Sequence, residues 1–113
     1  MRKYELFLED ILSSIKKIER YSLHDLKKDD MAFDAILRNL ETIGEAVKSI
    51  SPELKEEYKD IEWKRIIGIR DIITHAYFGI DKDIILEIIS NKLPRLKRVV
   101  IELIKKEKDS STK

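Results

Sequence analysis

Apolar residues recur along this chain at steps of three and four rather than two. Leu8, Ile11, Leu12, Ile15 and Ile18 form the first such stripe, which is the spacing of one helical face. It predicts a helix over about residues 3–21. Ser22 reads as an N-cap, with Asp25 placed to favour exposed N–H groups. A second helix is predicted from Asp29 or Asp30 to Ile50. Its seam is Ala32, Ile36, Leu40, Ile43, Val47 and Ile50, and from Ile36 the steps alternate four and three, as in near-parallel helix packing. Gly44 interrupts this helix at a cost of about 1 kcal/mol relative to alanine, so another helix is expected to approach closely there. Ser51-Pro52 reads as an N-cap followed by proline at the first helical position, opening a short helix through Tyr58.

Trp63, Ile66, Ile67, Ile69 and Ile73 continue the helical spacing. Gly79 and Asp81 mark a turn and a new N-cap. A last helix is expected from near Lys82, with Pro94 kinking or dividing it because proline removes an internal hydrogen bond. Leu96, Val99, Val100, Leu103 and Ile104 carry the stripe onward, and from Lys105 the chain is charged and small. The expected architecture is all-α, an up-and-down bundle of four to five helices. One domain spans residues 1–104, and residues 105–113 read as a charged, flexible tail.

Composition narrows the classes of function. The 113 residues carry 23 Lys+Arg against 22 Asp+Glu, a net charge of +1. No global basic field draws in nucleic acid, so any RNA-binding surface must be a local cluster. Charged residues are 40% and apolar ones 42% of the chain, a balance suited to amphipathic helices and to work at high temperature. The absence of cysteine excludes disulfides, thiolate metal sites and cysteine nucleophiles. No signal-peptide core and no membrane-length apolar run is present, so the expected location is the cytoplasm. A core this small makes self-association plausible.

Residues 70–77 break the pattern. Arg70, Asp71, Thr74, His75 and Tyr77 place a cation, a carboxylate, a hydroxyl, an imidazole and a phenol inside an otherwise apolar stretch. Such groups are costly there unless satisfied or used. On one continuous helix Arg70 and His75 diverge by about 140°, so one small substrate meets both only if the helix ends between them or a second chain completes the site. Asp71 and His75, four apart, can meet, and a carboxylate there would orient the ring. The set could cleave RNA phosphodiester bonds without metal: imidazole moves protons and guanidinium holds phosphate. No metal-ligand spacing is evident. On physical grounds alone, a capping and salt-bridge arrangement is the more common role for a single arginine and histidine near a helix end. Elsewhere, His24 reads as a surface residue and Trp63 as a core anchor. Tyr4, Tyr21 and Tyr58 read as boundary residues, and Lys64-Arg65 as either phosphate contacts or a solvated face. Glu41 and Glu45 are expected to pair with Arg38 and Lys48 along their own helix.

Arg70-x4-His75-x-Tyr77 resembles the R-x4-6-H motif of HEPN ribonucleases, and more closely the R-x4-H-x-Y form of HepT-like toxins. The flanks are similar too: Arg38 to Ala46, Ser51-Pro52-Glu53-Leu54, Trp63 to Asp71, His75 to Asp81 and Leu93-Pro94. The likeness covers roughly residues 5–104. It implies an all-helical HEPN homodimer with the motif facing a cleft between subunits, acting as a ribonuclease toxin. It further implies a partner, an MntA-type nucleotidyltransferase antitoxin that uses ATP to place AMP on the tyrosine. Carried onto this chain, Arg70 and His75 become the catalytic pair, Asp71 and Thr74 supporting residues, and Tyr77 the AMP site. The protein itself would need no cofactor and no metal, and its partners would be RNA, the antitoxin and a second copy. The rival expectation is a non-catalytic helical partner or substrate of such a nucleotidyltransferase.

Overall fold

A computed structural model of the chain describes residues 2–75 and 79–111, and these are all helix, turn or loop. Six helices follow one another: α1 (Arg2–Tyr21), α2 (Asp30–Lys48), α3 (Pro52–Glu57), α4 (Trp63–Thr74), α5 (Lys82–Asn91) and α6 (Leu93–Ser111). The count exceeds the expected four to five because Pro94 divides the last helix. Proline takes the second position of α6, where no internal hydrogen bond is lost, and α5 ends one turn earlier at Asn91.

Side-chain caps explain the starts of α2, α3 and α5. The Asp29 carboxylate accepts from the Ala32 N–H and opens α2. Ser51 accepts from Leu54 N–H at the start of α3, with Pro52 behind it. Asp81 accepts from Asp83 N–H and opens α5, after a turn in which Gly79 takes φ of 103°, a region that disfavours side chains. Ser22 departs from its expected role. Its hydroxyl donates back to the Ile18 carbonyl at 2.7 Å and closes α1 rather than opening a helix. Residues 22–29 are turns, within which Asp25 accepts from the Lys27 N–H.

The apolar stripes meet in one core. Leu8, Ile11, Ile15 and Ile18 of α1 pack with the full α2 seam and with Leu93, Leu96, Val99, Val100 and Leu103 of α6. α2 lies between α1 and α4, and α1 lies between α2 and α6, with α5 resting on α6. Polar ties fix the ends. Lys82 Nζ donates to the carbonyls of Leu26 and Lys27 and to Asp30, and sits over the Phe33 ring. Glu62 pairs with Lys92 and Asp60 with Arg95, which pins the start of α4 to the α5–α6 junction. The stretch from Lys105, whose composition reads as a tail, is helical to Ser111, and Lys106 donates to the Tyr58 hydroxyl. No helix among the described residues is long and apolar enough to cross a membrane.

Candidate functional site

The C-terminal half of α4, seen against α2, holds the candidate residues. α4 carries Trp63, Ile66 and Ile69 into the core. Trp63 is the expected anchor: it is 8% exposed, and its indole N–H donates to the carbonyls of Lys55 and Tyr58. The close approach expected at Gly44 is real, and its partner is α4. A Cβ at Gly44 would stand 3.3 Å from the Ile66 carbonyl oxygen and 3.4 Å from Arg70 Cβ. The missing side chain is what lets the backbone bearing Arg70 lie against α2.

That proximity supplies a residue which sequence reasoning assigned elsewhere. Arg70 Nε and Glu45 Oε2 lie 2.9 Å apart, so Glu45 joins α4 instead of pairing along its own helix. The available signal was Gly44. A charged side chain next to a close-approach glycine faces the incoming helix before it faces its own. The two side chains are 44% and 58% exposed, so the pair contributes roughly 0.2–1 kcal/mol. It therefore orients the guanidinium without committing it. The contact engages Nε, and the remaining donors of the rigid fork suit a phosphate.

α4 ends at Thr74, and His75 is its C-cap. The His75 N–H still donates to the Asp71 carbonyl at 3.0 Å, so its Cα continues the helical path. The divergence of about 140° from Arg70 therefore persists within one protomer. His75 Nδ1 also lies 3.0 Å from that same main-chain carbonyl, whereas the spacing had pointed to the Asp71 carboxylate. A carbonyl only accepts, so this contact calls for the proton on Nδ1, and the neutral ring then has its basic lone pair on Nε2. Asp71, Thr74 and His75 are all exposed, and Arg70 is half-buried. Tyr77, with Ala76 and Phe78, lies outside the described residues. Away from this end, His24 is on the surface as expected, paired with Asp29 at 3.1 Å.

The all-helical bundle is consistent with a HEPN-type helical fold. The ribonuclease HepT-like family model matches residues 8–103. The chain belongs to this family, and its enzyme class is that of the endoribonucleases. Three relatives illustrate the likeness. A candidate RNase of Caldanaerobacter subterraneus subsp. tengcongensis is 40% identical over 106 residues, covering 90% of this chain and 95% of that one. A candidate RNase of Methanocaldococcus jannaschii is 37% identical over 103 residues, covering 88% and 85%. A candidate ribonuclease HepT of Thermococcus cleftensis is 34% identical over 100 residues, covering 85% and 91%. No solved structure matches the chain.

Proposed function

We propose that this protein is a homodimeric endoribonuclease toxin whose catalytic groups are Arg70 and His75. The observation that carries this reading is the end of α4, where an accessible imidazole is anchored through Nδ1 and, among the described residues, one exposed carboxylate pairs with an accessible guanidinium. In the reaction, the Nε2 lone pair of one His75 takes the proton of a 2′-hydroxyl. That oxygen attacks the phosphorus, the bond from phosphorus to the 5′-oxygen breaks, and a second His75 ring, protonated as imidazolium, gives a proton to the leaving oxygen. Arg70 holds the phosphate and offsets the charge that builds on it. These steps need no metal.

Three features support a second copy. Arg70 and His75 diverge on one helix, so motifs from two protomers facing each other would supply what one cannot. Ile72, 53% exposed, sits between them in sequence. The protomer also exposes 7500 Å², against about 6500 Å² expected for a compact monomer of this mass. Silencing by AMP follows the same chemistry. The Tyr77 oxygen attacks the α-phosphorus of ATP, pyrophosphate leaves, and the added negative charge would compete with RNA for the Arg70 cation. The enzyme for that step is an MntA-type nucleotidyltransferase, and RNA is the substrate of the toxin.

Purified protein incubated with mixed RNA tests the reading. Wild type should cut it, and His75→Ala should lose cutting by at least about a hundredfold while keeping its helical content. A His75→Ala protein that cuts normally removes His75 from the chemistry. Adding the nucleotidyltransferase and ATP should add one or more AMP masses to Tyr77; an unmodified tyrosine removes the silencing mechanism.

A further inference from the structure

Beside the motif, α3 and the first turns of α4 enclose a concavity of about 670 Å³. Its floor is apolar, formed by Ile61, Trp63 and Ile67, and its rim carries Lys55, Lys59, Lys64 and Arg65. The rim carboxylates offset only part of this charge. Glu56 lies 3.3 Å from Lys59, and Glu62 is shared between Arg65 and Lys92. Among the described residues, no carboxylate lies within ion-pair distance of Lys55 or Lys64. Partial burial pushes the Lys55 ammonium below its usual range, a cost that an incoming anion would offset.

A second, independent feature lies on the same helix. Lys64, Gly68, Asp71 and His75 follow at steps of four, three and four, so they fall within about 60° of one another on one stripe, about 16 Å long. Gly68 sits in the middle of α4, and a Cβ placed there would meet nothing within 4 Å. Unlike Gly44, it serves no packing contact among the described residues. It nonetheless costs the helix about 1 kcal/mol relative to alanine. Gly68 therefore leaves a side-chain-free patch on α4 that a ligand outside the protomer can approach closely.

We infer that the Lys55–Lys64 concavity and the glycine-flattened stripe from Lys64 to His75 form one track that binds the single-stranded RNA flanking the scissile bond. This rests on the ribonuclease reading and gives it a substrate path. The unpaired lysines take phosphates, the apolar floor takes a base or ribose face, and Gly68 lets the strand lie against α4 on its way to His75. A polyanion complements Lys55 and Lys64, with which no described carboxylate pairs, whereas the same cationic rim on a second copy would not.

Binding is measured in a His75→Ala background by fluorescence anisotropy with a labelled single-stranded oligoribonucleotide. Lys55→Gln with Lys64→Gln should weaken binding roughly tenfold at low salt and make the log–log salt slope shallower by about 1.4, the share of two phosphate contacts on a single strand. Gly68→Leu, compatible with helix and open space, should weaken binding comparably without changing oligomeric state. Lys16→Gln with Lys108→Gln, on the α1–α6 side, should shift it little. Unchanged RNA affinity and slope overturn the track. So does a Gly68→Leu protein that changes its oligomeric state while binding RNA as before, since the stripe then faces another copy. RNA binding indifferent to the lysines, with poly-glutamate binding that depends on them, would assign the groove to a protein and also overturn it. The His75 cutting assay is separate: if wild type cuts no RNA, the ribonuclease reading falls while the binding arms still decide the track.

Discussion

Gly44 and Gly68 are both helical, both at ordinary negative φ, and physically opposite in what surrounds them. Alanine at Gly68 adds a methyl group to open space. The change reduces unfolded-chain entropy and favours helix, a gain of up to about 1 kcal/mol, or roughly 4 °C in Tm for a domain near this size. Alanine at Gly44 has the same intrinsic gain but puts its Cβ 3.3 Å from the Ile66 carbonyl and 3.6 Å from the Ile67 carbonyl. Those oxygens are backbone, so α4 must shift by a few tenths of an ångström, an overpacking cost of about 1–3 kcal/mol. Gly44→Ala should therefore be neutral to about 2 kcal/mol destabilised. The two variants should differ by about 1–3 kcal/mol. Urea titrations followed by far-ultraviolet circular dichroism at one protein concentration measure this. Because the displaced backbone carries Arg70, Gly44→Ala should also cut RNA more slowly than its stability predicts. A Gly44→Ala protein as stabilised as Gly68→Ala would refute the close approach that places Arg70.

Glu45→Gln removes a half-exposed ion pair, so unfolding free energy should change by less than about 1 kcal/mol; kcat/KM for RNA should fall several-fold as Arg70 loses its orientation, and unchanged cleavage would strip Glu45 of that role. The Asp60 and Glu62 carboxyls lie below the usual range, chiefly through side-chain hydrogen bonds from Arg95 and Lys92. A carboxyl depressed in the folded state adds stability that is complete above its unfolded value, about 4, and is lost as pH falls through the folded value. Asp60→Asn with Glu62→Gln should thus flatten the acid limb of the stability curve below about pH 4. Since both groups are exposed the effect is small, and an acid limb of unchanged steepness excludes these pairs as its source.

Much of this molecule follows from local rules. The seam from Ala32 to Ile50 is buried throughout, because a 3.6-residue period commits apolar side chains to one face whatever lies opposite. Ser51-Pro52 and Asp81 cap as their side-chain reach requires, and the cost of a mid-helix glycine correctly announced a neighbour at Gly44. The motif residues stand out in the sequence as polar groups within an apolar stretch. Ser22 was not read correctly, since a hydroxyl can serve either end of a helix and only the direction of the chain beyond it decides which. Nor could periodicity assign Glu45. Its helical neighbours Arg38 and Lys48 are visible in the sequence, but Arg70, twenty-five positions away, reaches it only through the rotation and register of α4 on α2. Local hydrogen bonding and side-chain period depend on a few adjacent residues and are written along the chain. Partners between helices depend on how whole faces dock, and only tertiary packing sets that.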